Sequence, residues 1–191
     1  MISLNNLKNY ILLFILSFSL SCSRADVDDD VFSQEDISNI ILNVKDDESG
    51  LTTTYNYTVN STVNPNIKLN DGKSYTVTAV FLNGNEDETE SIKEAKDEHF
   101  LIFEFQNSDV NLVRIDDESS IRTDKNKIGL VTKWNVIKAK NGVQPQLVLT
   151  LVHDPVSVSE ERKGNKFGAV VGGETDAMAT FGISTLYKTK P

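Results

Sequence analysis

Two histidines, a single cysteine and a few well-placed carboxylates are the residues of this 191-residue chain whose types and positions suit chemistry. In His99-Phe100-Leu101-Ile102-Phe103-Glu104-Phe105, a period of two puts His99 on the face of Leu101, Phe103 and Phe105, at the start of a strand. In Leu147-Val148-Leu149-Thr150-Leu151-Val152-His153, the same period puts His153 on the face of Leu147, Leu149 and Leu151, at the end of one. If these strands run antiparallel in one sheet, or face each other in opposite sense across a sandwich, both imidazoles sit at one rim of the core. The connection from Asp154 to Thr175, 22 residues long, must return to that rim, so Glu174 and Asp176 belong there too. Glu98 precedes His99 on the opposite strand face and joins only if the strand begins after it. Imidazole nitrogen and carboxylate oxygen suit zinc or another transition metal, which makes His99, His153, Glu174 and Asp176 a candidate metal site. No His-x-His or His-Glu-x-x-His spacing reinforces the set. A strand-end histidine that merely donates to a loop carbonyl is the commoner arrangement, and the sequence leaves both readings open.

Cys22 offers chemistry of another kind. Ahead of it runs Ile11-Leu12-Leu13-Phe14-Ile15-Leu16-Ser17-Phe18-Ser19-Leu20, preceded by one charge, Lys8. A bilayer needs roughly 20 apolar residues, so this run reads as the apolar region of a secretory signal peptide. Ser19-Leu20-Ser21-Cys22 resembles the lipobox of bacterial lipoproteins, with Ser19 where leucine is usual. That resemblance implies a signal peptide over 1–21 and lipidation at Cys22. The acidic composition behind it reads as a tether over 22–36, and the strand pattern beyond as a folded domain over 37–191. A lone thiol in an oxidising compartment is a liability unless modified. The tether, Ser23-Arg24-Ala25-Asp26-Val27-Asp28-Asp29-Asp30, resembles the acidic signal that sends many Bacteroidota lipoproteins to the outer face of the outer membrane. The expected location is therefore the outer membrane, lipid-anchored and exposed at the cell surface, with the histidine rim on the far side of the domain.

Positioning those residues falls to strands. β-branched and aromatic residues alternate with polar ones from about Ile37 onward. The expected strands are Ile40–Lys45, Thr52–Val59, Ser74–Leu82, His99–Phe105, a weak Asn111–Asp116, Leu130–Ile137, Leu147–His153 and Ala177–Leu186. Seven or eight strands with short turns predict an all-β fold, an immunoglobulin-like antiparallel β-sandwich. Residues 86–98 break the pattern with helix formers and early acids, and read as one short surface helix whose Ile92 and Ala95 touch the sandwich. Asp-Asp-Glu-Ser occurs at Asp46–Ser49 and again at Asp116–Ser119, without the ligand spacing of a calcium loop, so both read as solvated turns.

Composition narrows the function. After removal of residues 1–21 the chain carries 18 basic and 28 acidic residues, a net charge of −10, which repels nucleic acid. No Gly-x-Ser-x-Gly elbow, phosphate-cradling glycine loop or third group orienting either histidine is present, so a non-catalytic protein is expected. Trp134 shares strand parity with Leu130, Thr132 and Val136, which places it in the core rather than on a glycan platform.

Several segments together resemble a known family. They are Gly72-Lys73-Ser74-Tyr75-Thr76-Val77, Asp97-Glu98-His99-Phe100-Leu101-Ile102-Phe103, Leu147 to Pro155, and Gly172-Gly173-Glu174-Thr175-Asp176, in that order. The chain is similar over most of its mature length to small Bacteroidota outer-membrane lipoproteins found beside TonB-dependent receptors, some labelled "type 1 periplasmic binding fold". That label denotes an α/β fold, whereas the pattern here is nearly all strand. Both histidines fall on the family's Glu-His-aromatic and strand-ending His motifs. Val152 stands where the family often has arginine, and Glu160-Glu161-Arg162-Lys163-Gly164-Asn165-Lys166 is a longer, more basic insert. The resemblance implies an accessory to a TonB-dependent receptor that binds a metal ion or metal complex for uptake. The competing expectation is a surface module that binds a protein or glycan through its loops without metal.

Overall fold

Alternation along the chain becomes burial strand by strand in the computed structural model, which describes residues 37–185. The signal peptide, Cys22, the tether and Leu186 lie outside the described residues. In chain order the elements are β1 (Asn39–Asp46), β2 (Thr52–Thr58), β3 (Asn66–Lys68), β4 (Ser74–Asn83), β5 (Glu86–Asp87), α1 (Thr89–Glu94), β6 (His99–Gln106) and β7 (Asp109–Arg114). They continue with β8 (Val131–Lys138), β9 (Gln146–His153), β10 (Ser157–Lys163), β11 (Lys166–Val171) and β12 (Glu174–Ser184). The first sheet runs β2-β1-β4-β8-β7, with β5 paired to β4. The second runs β10-β11-β6-β9-β12-β3. Their inner faces enclose one core, in which Phe81, Phe103, Phe105, Trp134 and Phe181 are almost wholly buried. The fold is the expected all-β sandwich with one short helix, and all eight expected strands are present.

Four further strands were not read from the sequence. β3 and β5 are too short to alternate. β3 pairs parallel with β12, at Ile67↔Ile183, the one departure from antiparallel pairing among the described strands. The expected long connection after His153 is instead the β10–β11 hairpin, whose turn is Gly164-Asn165 between paired Lys163 and Lys166. Val158 and Val170 of this hairpin pack on Phe100, Ile102 and Val152, which point to the outer face of the second sheet. The unbroken run Phe100-Leu101-Ile102-Phe103 is apolar because β6 is buried on both faces. The helix spans six residues rather than the expected thirteen, because Glu86 and Asp87 pair with β4 first. Ile92 enters the core as expected.

β11 pairs with β6 only at Lys166↔Glu104 and Phe167↔Phe103. At Leu101 the ladder is replaced: its N–H donates to the Ile128 carbonyl at 3.0 Å, and its carbonyl accepts from Arg114 Nη2 at 2.5 Å. Arg114 Nη1 donates to the Ile128 carbonyl at 2.5 Å, and the guanidinium lies 4.2 Å from the centre of the Phe100 ring. Two glycines shape the slot. A Cβ at Gly129 (φ 102°) would overlap Nη1, and one at Gly168 (φ 97°) would lie 2.7 Å from Nη2. Burial pulls the Arg114 pKa down to about 10, which leaves it charged at neutral pH.

Both Asp-Asp-Glu-Ser tetrads serve the backbone. Asp46 Oδ1 accepts the amides of Glu48 and Ser49, and Asp117 Oδ1 accepts that of Ser119. Asp116 turns inward, where its Oδ1 accepts the amides of Gly129, Leu130 and Val131 at 3.1, 2.7 and 3.3 Å.

Candidate metal centre

β6 and β9 are antiparallel neighbours in the second sheet, and their register places His99 directly opposite His153. Parity points both imidazoles inward at the rim, beyond the Leu101↔Leu151 pair. Across β9 lies β12, whose Glu174 is opposite His153 and Thr175 opposite Val152. Ala177 is then opposite Leu151, so Asp176 is one extra residue, a β-bulge. A bulge re-aims a side chain, and this one directs Asp176 between the two rings. Without it, Glu174 and Asp176 would share a strand face and converge. With it, parity breaks, and Glu174 stays exposed and outside the cluster. Of the four residues expected at the site, the structure brings together three.

The three donor atoms lie close to one another. His153 Nδ1 is 3.3 Å from His99 Nε2, Asp176 Oδ2 is 3.3 Å from His153 Nδ1, and Asp176 Oδ2 is 3.6 Å from His99 Nε2. Zinc bonds of about 2.05 Å to nitrogen and oxygen give tetrahedral edges of about 3.3 Å, whereas octahedral edges are about 2.9 Å. The observed triangle has the size of a tetrahedral face. The fourth corner is left for water or for a donor from an incoming ligand.

Burial makes the cluster chemically demanding. The side chains of His99 and Asp176 are 2 % and 1 % exposed, and His153 is 21 % exposed. Burial pushes the Asp176 carboxyl up, against the pull of the two imidazoles, and pushes the His99 imidazole down. Among the described residues, Asp176 Oδ2 and Asp116 Oδ2 are the buried side-chain oxygens that accept no hydrogen bond. A buried acceptor without a donor is costly, and a cation bound at Oδ2 removes that cost. His99 is already set for the role. Its Nδ1 lies 3.0 Å from the Ala95 carbonyl, so the proton sits on Nδ1 and the Nε2 lone pair faces the cluster.

The loop before His99 is held by residues the sequence did not single out. Arg122 Nη1 donates to the carbonyls of Lys96 and His99 at 3.1 and 2.9 Å, and Asp97 Oδ1 accepts the Thr123 amide at 2.7 Å. Arg122 pairs locally with Asp124, but no local pattern marks its hold on this loop, because the Lys96 and His99 carbonyls lie more than twenty residues away. The rim's position also differs from expectation. Asn39 pairs with Leu82 at the end of β4, and β4 leads through β5 and α1 to His99, whose ring contacts Ala95 just past the helix. The chain therefore enters the domain on the histidine rim and not on the far side. The reason is topological: β1 begins where its neighbour β4 ends.

No family model, no curated protein and no solved structure matches the chain.

Proposed function

We propose that this chain is a lipid-anchored outer-membrane protein, exposed at the cell surface, that binds a divalent transition metal ion, zinc or one like it, or a complex of such an ion. In this reading it is a non-catalytic accessory to a TonB-dependent receptor. The observation that carries the metal reading is the His99–His153–Asp176 triangle with a buried, donorless Oδ2 at one corner. An open fourth position suits an ion that is captured and passed on. The anchor and the receptor rest on the Cys22 motif and on the family resemblance.

The decisive experiment is titration of the protein lacking residues 1–22 with zinc and cobalt. One equivalent should bind, and cobalt should develop the strong visible absorption of a tetrahedral site. Binding that survives in a His99→Ala/His153→Ala double variant would sink the metal reading.

The metal-free alternative divides in two. The glycan version needs an aromatic platform, and Trp134 is fully buried against Phe105. The protein version draws on Val156 and Val171, 83 % and 63 % exposed and hydrogen-bonded to each other beside the histidine rim. That pair equally suits contact with a receptor.

A further inference from the structure

His153 has two faces, and the buried triangle uses only one of them. Its Nδ1 looks inward at His99 and Asp176, while its Nε2 looks outward, 3.7 Å from Asp154 Oδ2. Glu98 stands on the same outer side, and Glu98, His153 and Asp154 each offer a donor atom within 4.8 Å of the other two. The register explains the arrangement. Glu98-His99 and His153-Asp154 are antiparallel dipeptides at the end of the β6–β9 ladder, which runs one step further through the Asp154 N–H to the Glu98 carbonyl at 2.7 Å. Two imidazoles therefore form an inner row and two carboxylates an outer one. Directly behind the His153 ring lies Asp176 Oδ2, buried and without a donor.

From this geometry, and resting on the metal reading above, we infer that Glu98, Asp154 and His153 Nε2 form an outer capture position for a divalent metal ion. His153 passes the ion from there to the buried triangle.

The two positions are used in turn because a neutral imidazole has one lone pair and one N–H. With the ion outside, Nε2 is the ligand and Nδ1 carries the proton, facing the His99 Nε2 lone pair. With the ion inside, Nδ1 is the ligand and Nε2 carries the proton, facing Asp154. One proton moves from Nδ1 to Nε2 through solvent, and the ring stays neutral in both states. The outer carboxylates concentrate cations at the mouth, and the inner position holds one ion with less water around it. Such focusing raises association rates by about tenfold or more.

The test is cobalt loading of the purified full-length protein, followed by stopped-flow absorption at the tetrahedral band, with affinity and stoichiometry measured separately. In Glu98→Gln/Asp154→Asn, the loading rate should fall about tenfold and lose its salt dependence. The affinity should fall by clearly less than the loading rate does, and the stoichiometry should stay at one ion per chain. Asn at 154 tolerates the positive φ of 49° found there, so the variant keeps the backbone. An unchanged loading rate would overturn the proposal. So would an affinity loss of about 10 to 100-fold, the mark of Asp154 acting only as a carboxylate that orients His153. Two ions per wild-type chain would overturn the alternate use. Failure of the underlying metal reading looks different: wild-type protein develops no tetrahedral band, or His99→Ala keeps it.

Discussion

Arg114 and Asp176 are both ionisable side chains buried at the second sheet, yet their polar atoms are met in opposite ways. Arg114 donates to backbone carbonyls of β6 and of the segment before β8, stacks on Phe100, and fits a slot that two glycines keep clear. Asp176 sits between two imidazoles with one oxygen accepting nothing. The first arrangement is complete in itself: the guanidinium replaces missing ladder bonds and stays charged. The second is complete only with a further cation or proton. A buried polar group that the fold satisfies is scaffold, whereas an unsatisfied one calls for an explanation. Asp116 Oδ2 is also without a donor but has no metal-ligating neighbours among the described residues, while Asp176 Oδ2 lies beside two imidazole nitrogens, which is why we propose it as a ligand atom.

The sharpest way to break this contrast is to close the Arg114 slot. Gly129→Ala places a Cβ onto Nη1 at a positive φ and should cost at least about 3 kcal/mol. Urea unfolding measures it, and a near-neutral result would mean that Arg114 is not fixed there. Next in size is the metal effect. Free zinc at about 100 times its Kd should add about 2.7 kcal/mol to wild-type stability. That raises the melting temperature by about 5 to 10 °C, and His99→Ala should remove the increment.

Asp176→Asn separates the two regions most directly. Because the carboxylate is buried without a donor, the metal-free variant should keep wild-type stability within about 1 kcal/mol or exceed it, while its zinc increment disappears. A large loss of metal-free stability would place Asp176 with Arg114 as scaffold.

The smallest effect concerns pH. Burial holds the Asp116 carboxyl above its ordinary value, against the backbone amides and Arg114. The folded state therefore binds that proton more tightly than the unfolded chain. Its contribution is most favourable below about pH 4, declines as pH rises through the raised value, and is flat above it. Asp116→Asn keeps an acceptor for the amides of Gly129, Leu130 and Val131, so it should flatten that slope in urea unfolding from about pH 4 to about pH 7.

Much of this was legible because alternation is local. Leu147 to His153 and His99 to Phe105 each declare an inner face, and that alone put both histidines on the core side of strand ends. The hairpin of β10 and β11 was not legible. Ser157-Val158-Ser159-Glu160-Glu161-Arg162-Lys163 has a single apolar residue, and the turn pair Gly164-Asn165 was its only signal. Arg114 reads as a polar end to a weak strand, since its partners at Leu101 and Ile128 are set by how the sheet edge closes.

By itself, then, the sequence determined the strand faces, the all-β class and the place of each histidine on the core side of a strand end, because each follows from a period of two along a single segment. The antiparallel register that sets His99 opposite His153 came from the fold. Only the tertiary structure decided that Asp176 and not Glu174 completes the triangle, that Glu98 and Asp154 share the outer side of His153, and that the chain enters on the same rim. Those outcomes depend on one bulged residue and on the register between strands distant in sequence, and no local pattern encodes either.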